Sequence, residues 1–149
     1  MTHIPAIAQV LAGSVPMIRT LNLEFVETDQ RHAVLRLPDQ PAFHNHIGGP
    51  HAGAMFTLAE SASGAIVMGT FGGEVGRATT LAVRAEIDFR MVAMGPLTAE
   101  AALSRPASDV IAELDAGQRP EFSVVVTLRT DDGTVTGEMT IVWTLRPHR

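Results

Sequence analysis

From Gly53 to about Thr70 the chain carries one long helical pattern in which Glu60 is the only charged residue. At 3.6 residues per turn, Met55, Leu58, Ala59, Ala62, Ala65 and Ile66 share one broad arc. Gly53, Thr57, Glu60, Ser61 and Gly64 fall on the opposite arc, and Gly72-Gly73 ends the run. A helix with so little charge must be covered over most of its surface, so the remaining chain has to wrap it. The polar breaks at Thr57, Glu60, Ser61 and Ser63 argue against a membrane span over Ala52–Met68.

The wrapping is legible as strands. Leu21, Leu23 and Phe25 alternate with Asn22, Glu24 and Val26, and Ala33, Leu35 and Leu37 keep the same period up to Pro38. Leu81, Val83, Ala85, Ile87 and Phe89 alternate with Ala82, Arg84, Glu86, Asp88 and Arg90, which predicts a half-buried strand. After a turn at Met94-Gly95-Pro96, Leu97, Ala99, Ala101 and Leu103 form another. Phe122, Val124, Val126 and Leu128 form the fifth strand, and Val135, Met139, Ile141, Trp143 and Leu145 the sixth, joined by an Asp132-Gly133 hairpin. Pro5–Leu11 predicts a short helix stopped by Gly13 and Pro16. Arg105–Pro120 predicts an excursion whose helix is capped by Ser108 or Asp109 and stopped by Gly117. No repeat or linker interrupts this order. The expectation is one α+β domain over 1–149, an antiparallel sheet with one solvated face and the 53–70 helix against the other.

Composition narrows the function classes. Of 149 residues, 46% are hydrophobic and 18% charged, too apolar for disorder and too poor in charge for a coiled coil. The formal net charge of −5 and the lack of a basic run argue against nucleic acid and anionic membranes as partners. With no cysteine, thiol catalysis and disulfides are excluded, which fits a cytoplasmic location. Met1–Val10 has no Lys or Arg ahead of its apolar residues and does not read as a secretory signal.

Chemistry concentrates in one segment. Asn45, His46, Gly48, Gly49, Pro50 and His51 lead into the helix start at Ala52-Gly53. The bare N–H groups there, at the positive end of the helix dipole, suit a developing oxyanion. Two turns on stands Glu60, with no Lys or Arg at i±4 to pair with it. On an ordinary amphipathic helix such a carboxylate is merely solvated. On a helix this apolar it is a candidate acid–base group with a raised pKa.

The segment from Asn45 to Glu60 resembles the signature of hotdog-fold acyl-CoA thioesterases of the phenylacetate-pathway type. That signature runs Asn, six positions on to His, then Gly-Gly, then Asp or Glu eight beyond the first of those glycines. The order of elements resembles a hotdog fold, an antiparallel sheet around one long helix, across nearly the whole chain. Asp88-Phe89-Arg90 with Gly95 and Leu97 resembles the strand-turn-strand that follows the helix. The resemblance implies hydrolysis of an acyl-CoA or acyl-carrier thioester to acid and thiol. Glu60 would act as nucleophile or general base, and the Ala52 N–H would bind the carbonyl oxygen. Asn45 would position water or thioester from the opposing subunit of a homodimer, or of a dimer of dimers. His51 and Gly53 would lie against substrate, with no metal or other cofactor. Three departures are visible: Ala52 replaces the usual first glycine, the strand position that often holds Ser or Thr falls at Ala82, and the 105–120 excursion is long.

Three other readings compete. A dehydratase or hydratase of the same fold would pair His46 with Glu60 and leave Asn45 without work. His44, His46 and His51 could form a zinc site, although no carboxylate shares their loop. A non-catalytic acyl-binding protein would keep the pocket and lack the hydroxyl. Met55, Met68, Met91, Met94, Phe56 and Trp143 read first as apolar core.

Overall fold

The structure, a computed structural model, describes residues 3–29 and 31–149, with side chains from Ala6 onward. Helix α1 (His3–Ser14) and the short α2 (Pro16–Thr20) precede β1 (Glu24–Thr28) and β2 (His32–Leu37). The long helix α3 (Ala52–Phe71) follows, then β3 (Ala78–Phe89), β4 (Leu97–Leu103), α4 (Ala107–Asp115), β5 (Glu121–Thr130) and β6 (Val135–Pro147). All six strands form one antiparallel sheet in the order β1-β2-β4-β5-β6-β3. This is the hotdog arrangement expected from the sequence.

The sheet curls around α3, which packs on β2, β4 and β5. Leu58, Ala59, Ala62, Ala65 and Ile66 have no exposed surface and meet Leu35, Ala99, Val124 and Val126, equally enclosed. Burying each Leu, Ile or Val side chain of this seam contributes about 1.5–3 kcal/mol, and each alanine methyl less. By length and composition α3 is apolar enough to cross a membrane, its polar breaks notwithstanding. Its enclosure by the sheet marks it as a core helix.

Several details differ from the sequence reading. Gly13 does not stop α1, which runs to Ser14, and Pro16 opens a second helix, as its fixed φ allows at N1. Leu21 and Leu23 are buried before the strand starts, because Asn22 adopts a left-handed φ of 53° and turns the chain there. Ser61, expected on the polar arc, is buried. Helix α4 is entered from Pro106, without a side-chain cap from Ser108 or Asp109.

The largest difference concerns β3. Its alternation predicts one buried face, yet Ala82–Glu86, Asp88 and Phe89 are all exposed. The cause is topological. Strand β3 is the sheet edge, its one partner is β6, and a bulge between Ala82 and Arg84 lifts Val83 out of register. One ladder of β3 is therefore unpaired within the chain.

Candidate active site

The loop into α3 is held by Asn45. Its Oδ1 accepts the N–H groups of Ile47 at 3.0 Å and Gly49 at 3.1 Å, and its Nδ2 donates to the Pro50 carbonyl at 3.3 Å. Its backbone N–H donates to the Gly49 carbonyl at 2.7 Å. Gly49 cannot be replaced without movement, since a Cβ there would sit 2.3 Å from the Ala93 carbonyl oxygen. The loop is thereby pinned to the connection between β3 and β4. The His51 N–H donates to the Phe43 carbonyl at 2.8 Å, and the His44 Nε2 lies 2.6 Å from Asp39 Oδ1.

His51 is the N-cap of α3, its Nδ1 accepting the Gly53 N–H at 2.8 Å. That bond fixes the neutral tautomer with the proton on Nε2. Of the two donors expected at this helix start, Gly53 is thus occupied. The exposed Ala52 N–H has no acceptor among the described residues. It opens onto a groove of about 900 Å3, lined by Asn45, His46, Ala52, Met55, Phe89 and Arg90 among others.

Glu60 is half-buried, and its carboxyl has neither ion pair nor hydrogen bond among the described residues. Burial pushes its carboxyl above the ordinary value of 4.5. An unpartnered carboxyl of raised pKa is, once ionised, a stronger proton acceptor than an ordinary carboxylate. It does not line the groove. Eight residues at 1.5 Å rise separate it from Ala52, roughly 12 Å along the axis, although side chains lean toward the helix N-terminus and shorten that gap. The chain therefore brings Asn45, His51 and Ala52 together, and leaves Glu60 apart from Asn45.

The residues beside Glu60 were not legible as functional. Trp143, expected in the core, is half-buried and donates from Nε1 to Ser63 Oγ at 3.1 Å. Ser63 in turn donates from Oγ to the Glu60 carbonyl at 2.6 Å. Ala82, the expected place for a hydroxyl, is the register partner of Trp143 and exposed. The one available signal was a serine at 63 in so apolar a helix.

His44, His46 and His51 do not gather into a metal-ligand set. Among the described residues the single group of that kind is Glu27, Asp29 and His32 at the β1–β2 hairpin, an acidic surface cluster.

The sequence matches, over residues 5–145, the family described as a domain of unknown function, DUF4442. Among curated proteins no match is found. The structure superposes on PA5026 from Pseudomonas aeruginosa, described as a protein of unknown function and probable thioesterase. That superposition has a TM-score of 0.85 at 25% identity, over 97% of this chain and 95% of that one. It also superposes on a thioesterase family protein from Silicibacter pomeroyi, with a TM-score of 0.77 at 20% identity, over 95% of this chain and 96% of that one. With its helix enclosed by a six-stranded antiparallel sheet, the chain belongs to the DUF4442 family and shares the hotdog fold of thioesterase-family proteins.

Proposed function

We propose that the protein hydrolyses an acyl-CoA or similar acyl thioester, with Glu60 as the general base. The observation that carries this reading is the pairing, on one helix, of an unpartnered half-buried carboxyl with a free N–H at the helix start. Water held by Glu60 attacks the thioester carbon and its proton passes to the carboxylate. The carbonyl oxygen gathers charge and accepts the Ala52 N–H, where the helix dipole adds to the stabilisation. The tetrahedral intermediate then expels the thiolate as the C–S bond breaks, and the proton on Glu60 returns to that sulfur. Gly53 allows the substrate backbone-close approach, and His51 holds the helix start in shape.

The site is completed by a second copy. The unpaired edge of β3, with Val83, Phe89, Met91 and Val92 exposed, is suited to two-fold pairing. Such a dimer supplies the Asn45 loop of one subunit to Glu60 of the other, which the lone chain keeps apart. The carrier is CoA or an acyl-carrier thiol. The likeness to the phenylacetate-pathway type rests on the Asn45-to-Glu60 motif alone.

Glu60→Gln keeps shape and removes the base, so hydrolysis falls by about 10²–10⁴ with KM little changed. In the unaltered protein the rate rises with pH through the raised pKa of Glu60. A Glu60→Gln variant with full activity refutes the assignment. Light scattering shows a dimer at micromolar concentration, and a monomer there removes the composite site. The lack of a hydroxyl at Ala82 favours one further reading, an acyl-thioester binder without turnover. Binding of acyl-CoA with no hydrolysis by the unaltered protein is its signature.

A further inference from the structure

Gly64 lies one turn beyond Glu60 in the interior of α3, where glycine weakens a helix relative to alanine. No contact among the described residues requires it. A Cβ built there meets Glu60 Oε2 and Trp143 Cη2, each at 4.0 Å, which is ordinary contact. Alanine would fit and would strengthen the helix. The missing methyl instead leaves a gap with the carboxyl on one side and the indole on the other, and all three residues are half-exposed.

We propose that this gap is the acyl seat, in which the first carbons of an uncharged acyl group lie over Gly64 against Trp143. The inference rests on the hydrolase reading and adds the specificity determinant. The indole is a fixed wall, because Trp143 Nε1–H is bound to Ser63, whose hydroxyl is bound to the Glu60 carbonyl. Base and wall are thus tied to the same turn of α3. The seat continues toward the β3 edge past Ala82, the register partner of Trp143, whose small side chain leaves room on that face. It offers an acyl group indole, glycine and alanine surface, with a carboxylate and no cation on α3, while Arg84, the next paired position beyond Ala82 on β3, is engaged by Glu121 at 3.6 Å. An acyl group with a terminal carboxylate, such as succinyl, meets like charge there and is rejected, whereas acetyl, butanoyl and longer uncharged acyl groups are accepted.

The test uses the full chain and a series of CoA thioesters: acetyl, butanoyl, octanoyl and succinyl. The unaltered protein prefers the uncharged members over succinyl by more than tenfold in kcat/KM. Gly64→Ala raises the melting temperature yet lowers kcat/KM, more steeply for butanoyl and octanoyl than for acetyl. Trp143→Ala shifts preference toward the bulkier acyl groups, and Trp143→Phe restores the original order. The chain has one Trp and no Tyr, so its emission reports this wall alone. In the Glu60→Gln variant, butanoyl-CoA changes that emission and free CoA does not. Hydrolysis with an acyl profile unmoved by both Gly64→Ala and Trp143→Ala overturns the seat and leaves the hydrolase reading intact. No hydrolysis of any thioester overturns the hydrolase reading. The emission change then decides the seat separately: a response to butanoyl-CoA beyond that to CoA sustains it, and equal responses overturn it.

Discussion

Replacing Gly49 by alanine tests the architecture of the site at its tightest contact. The new Cβ would stand 2.3 Å from the Ala93 carbonyl oxygen, 3.1 Å from Met94 Sδ and 3.5 Å from the Ala93 carbonyl carbon. The methionine end can swing aside, but the carbonyl is main chain at the buried Ala93 and moves only with its segment. Relief therefore requires the loop to move by about 1 Å, and overpacking of this kind costs about 1–3 kcal/mol. The same displacement strains the two bonds that join Gly49 to Asn45, at 2.7 and 3.1 Å, each contributing about 0.5–1.5 kcal/mol. The reduced freedom of the unfolded chain returns about 0.4–1 kcal/mol. The net loss is about 2–4 kcal/mol, a fall in melting temperature of about 5–15 °C for a domain of this size. Gly73→Ala is the control: nothing lies within 4 Å of its Cβ and its φ is not left-handed, so stability stays within about 0.5 kcal/mol. Differential scanning calorimetry and urea unfolding measure both variants, and thioester hydrolysis is followed alongside, since Asn45 moves with the loop. A Gly49→Ala protein melting within 2 °C of the parent, roughly 0.5–1 kcal/mol, would refute the packing of this loop against Ala93.

Glu60 makes a second prediction with a definite sign. Its folded pKa is raised, so the folded state binds the proton more readily than the unfolded chain. The stability it contributes as a neutral acid is present at low pH and is lost as pH rises from the ordinary carboxylate range through the raised pKa. Glu60→Gln, which cannot ionise, is accordingly more stable than the parent at pH 8, with the gap closing near pH 4; melting curves with a gap that widens on acidification contradict the burial of the carboxyl. Third, Asn45→Ala slows hydrolysis by about 10–100-fold, the loss of one positioning contact, while His46→Ala stays within a few-fold. Because Asn45 also holds its own loop, circular dichroism and oligomer mass are read for both, and the reverse order on a 3-hydroxyacyl or enoyl substrate supports the dehydratase.

Local patterns carried most of the fold. The long helix, predicted from Gly53 to about Thr70, spans Ala52–Phe71, because an apolar run with a single charge, bounded by a bend and a Gly-Gly pair, leaves little latitude. Strands β2, β4 and β5 follow their alternation, since each buries one face against α3, whereas β6 buries Met139, Ile141 and Leu145 as predicted but also the off-phase Thr136 and Thr144. Strand β3 has an equally clean alternation, yet none of Leu81, Val83, Ala85, Ile87 and Phe89 is buried, because periodicity reports a strand's two faces and is silent on whether anything covers them. Position in the sheet is decided by the pairing of residues far apart in sequence, and the edge fell to β3. At the site, Asn45, His51 and Ala52 were legible because they are neighbours in the chain. The contact of Ser63 with Trp143 spans 80 residues and leaves no local trace. The occupation of the Gly53 N–H by His51 was equally hidden, since a histidine two residues upstream reads as a free imidazole until its Nδ1 is located.

Glu60 and Ala52 belong to one uninterrupted helix, and this makes α3 a ruler. Within one subunit, the separation between the Glu60 carboxyl and the Ala52 N–H is set by the rise per residue and their mutual angle by 100° per residue, so neither can be tuned by loop adjustment. A single deletion or insertion between positions 52 and 60 swings the carboxylate by more than a quarter of a turn, to the buried place of Ala59 or of Ser61 respectively. On the proposed mechanism, length variation within this segment is therefore closed to a working descendant of this chain. Changes of specificity have to accumulate instead in the segments that meet the ruler from outside, at Ala82 and Val83 on the free edge, in the 45–50 turn and at the indole.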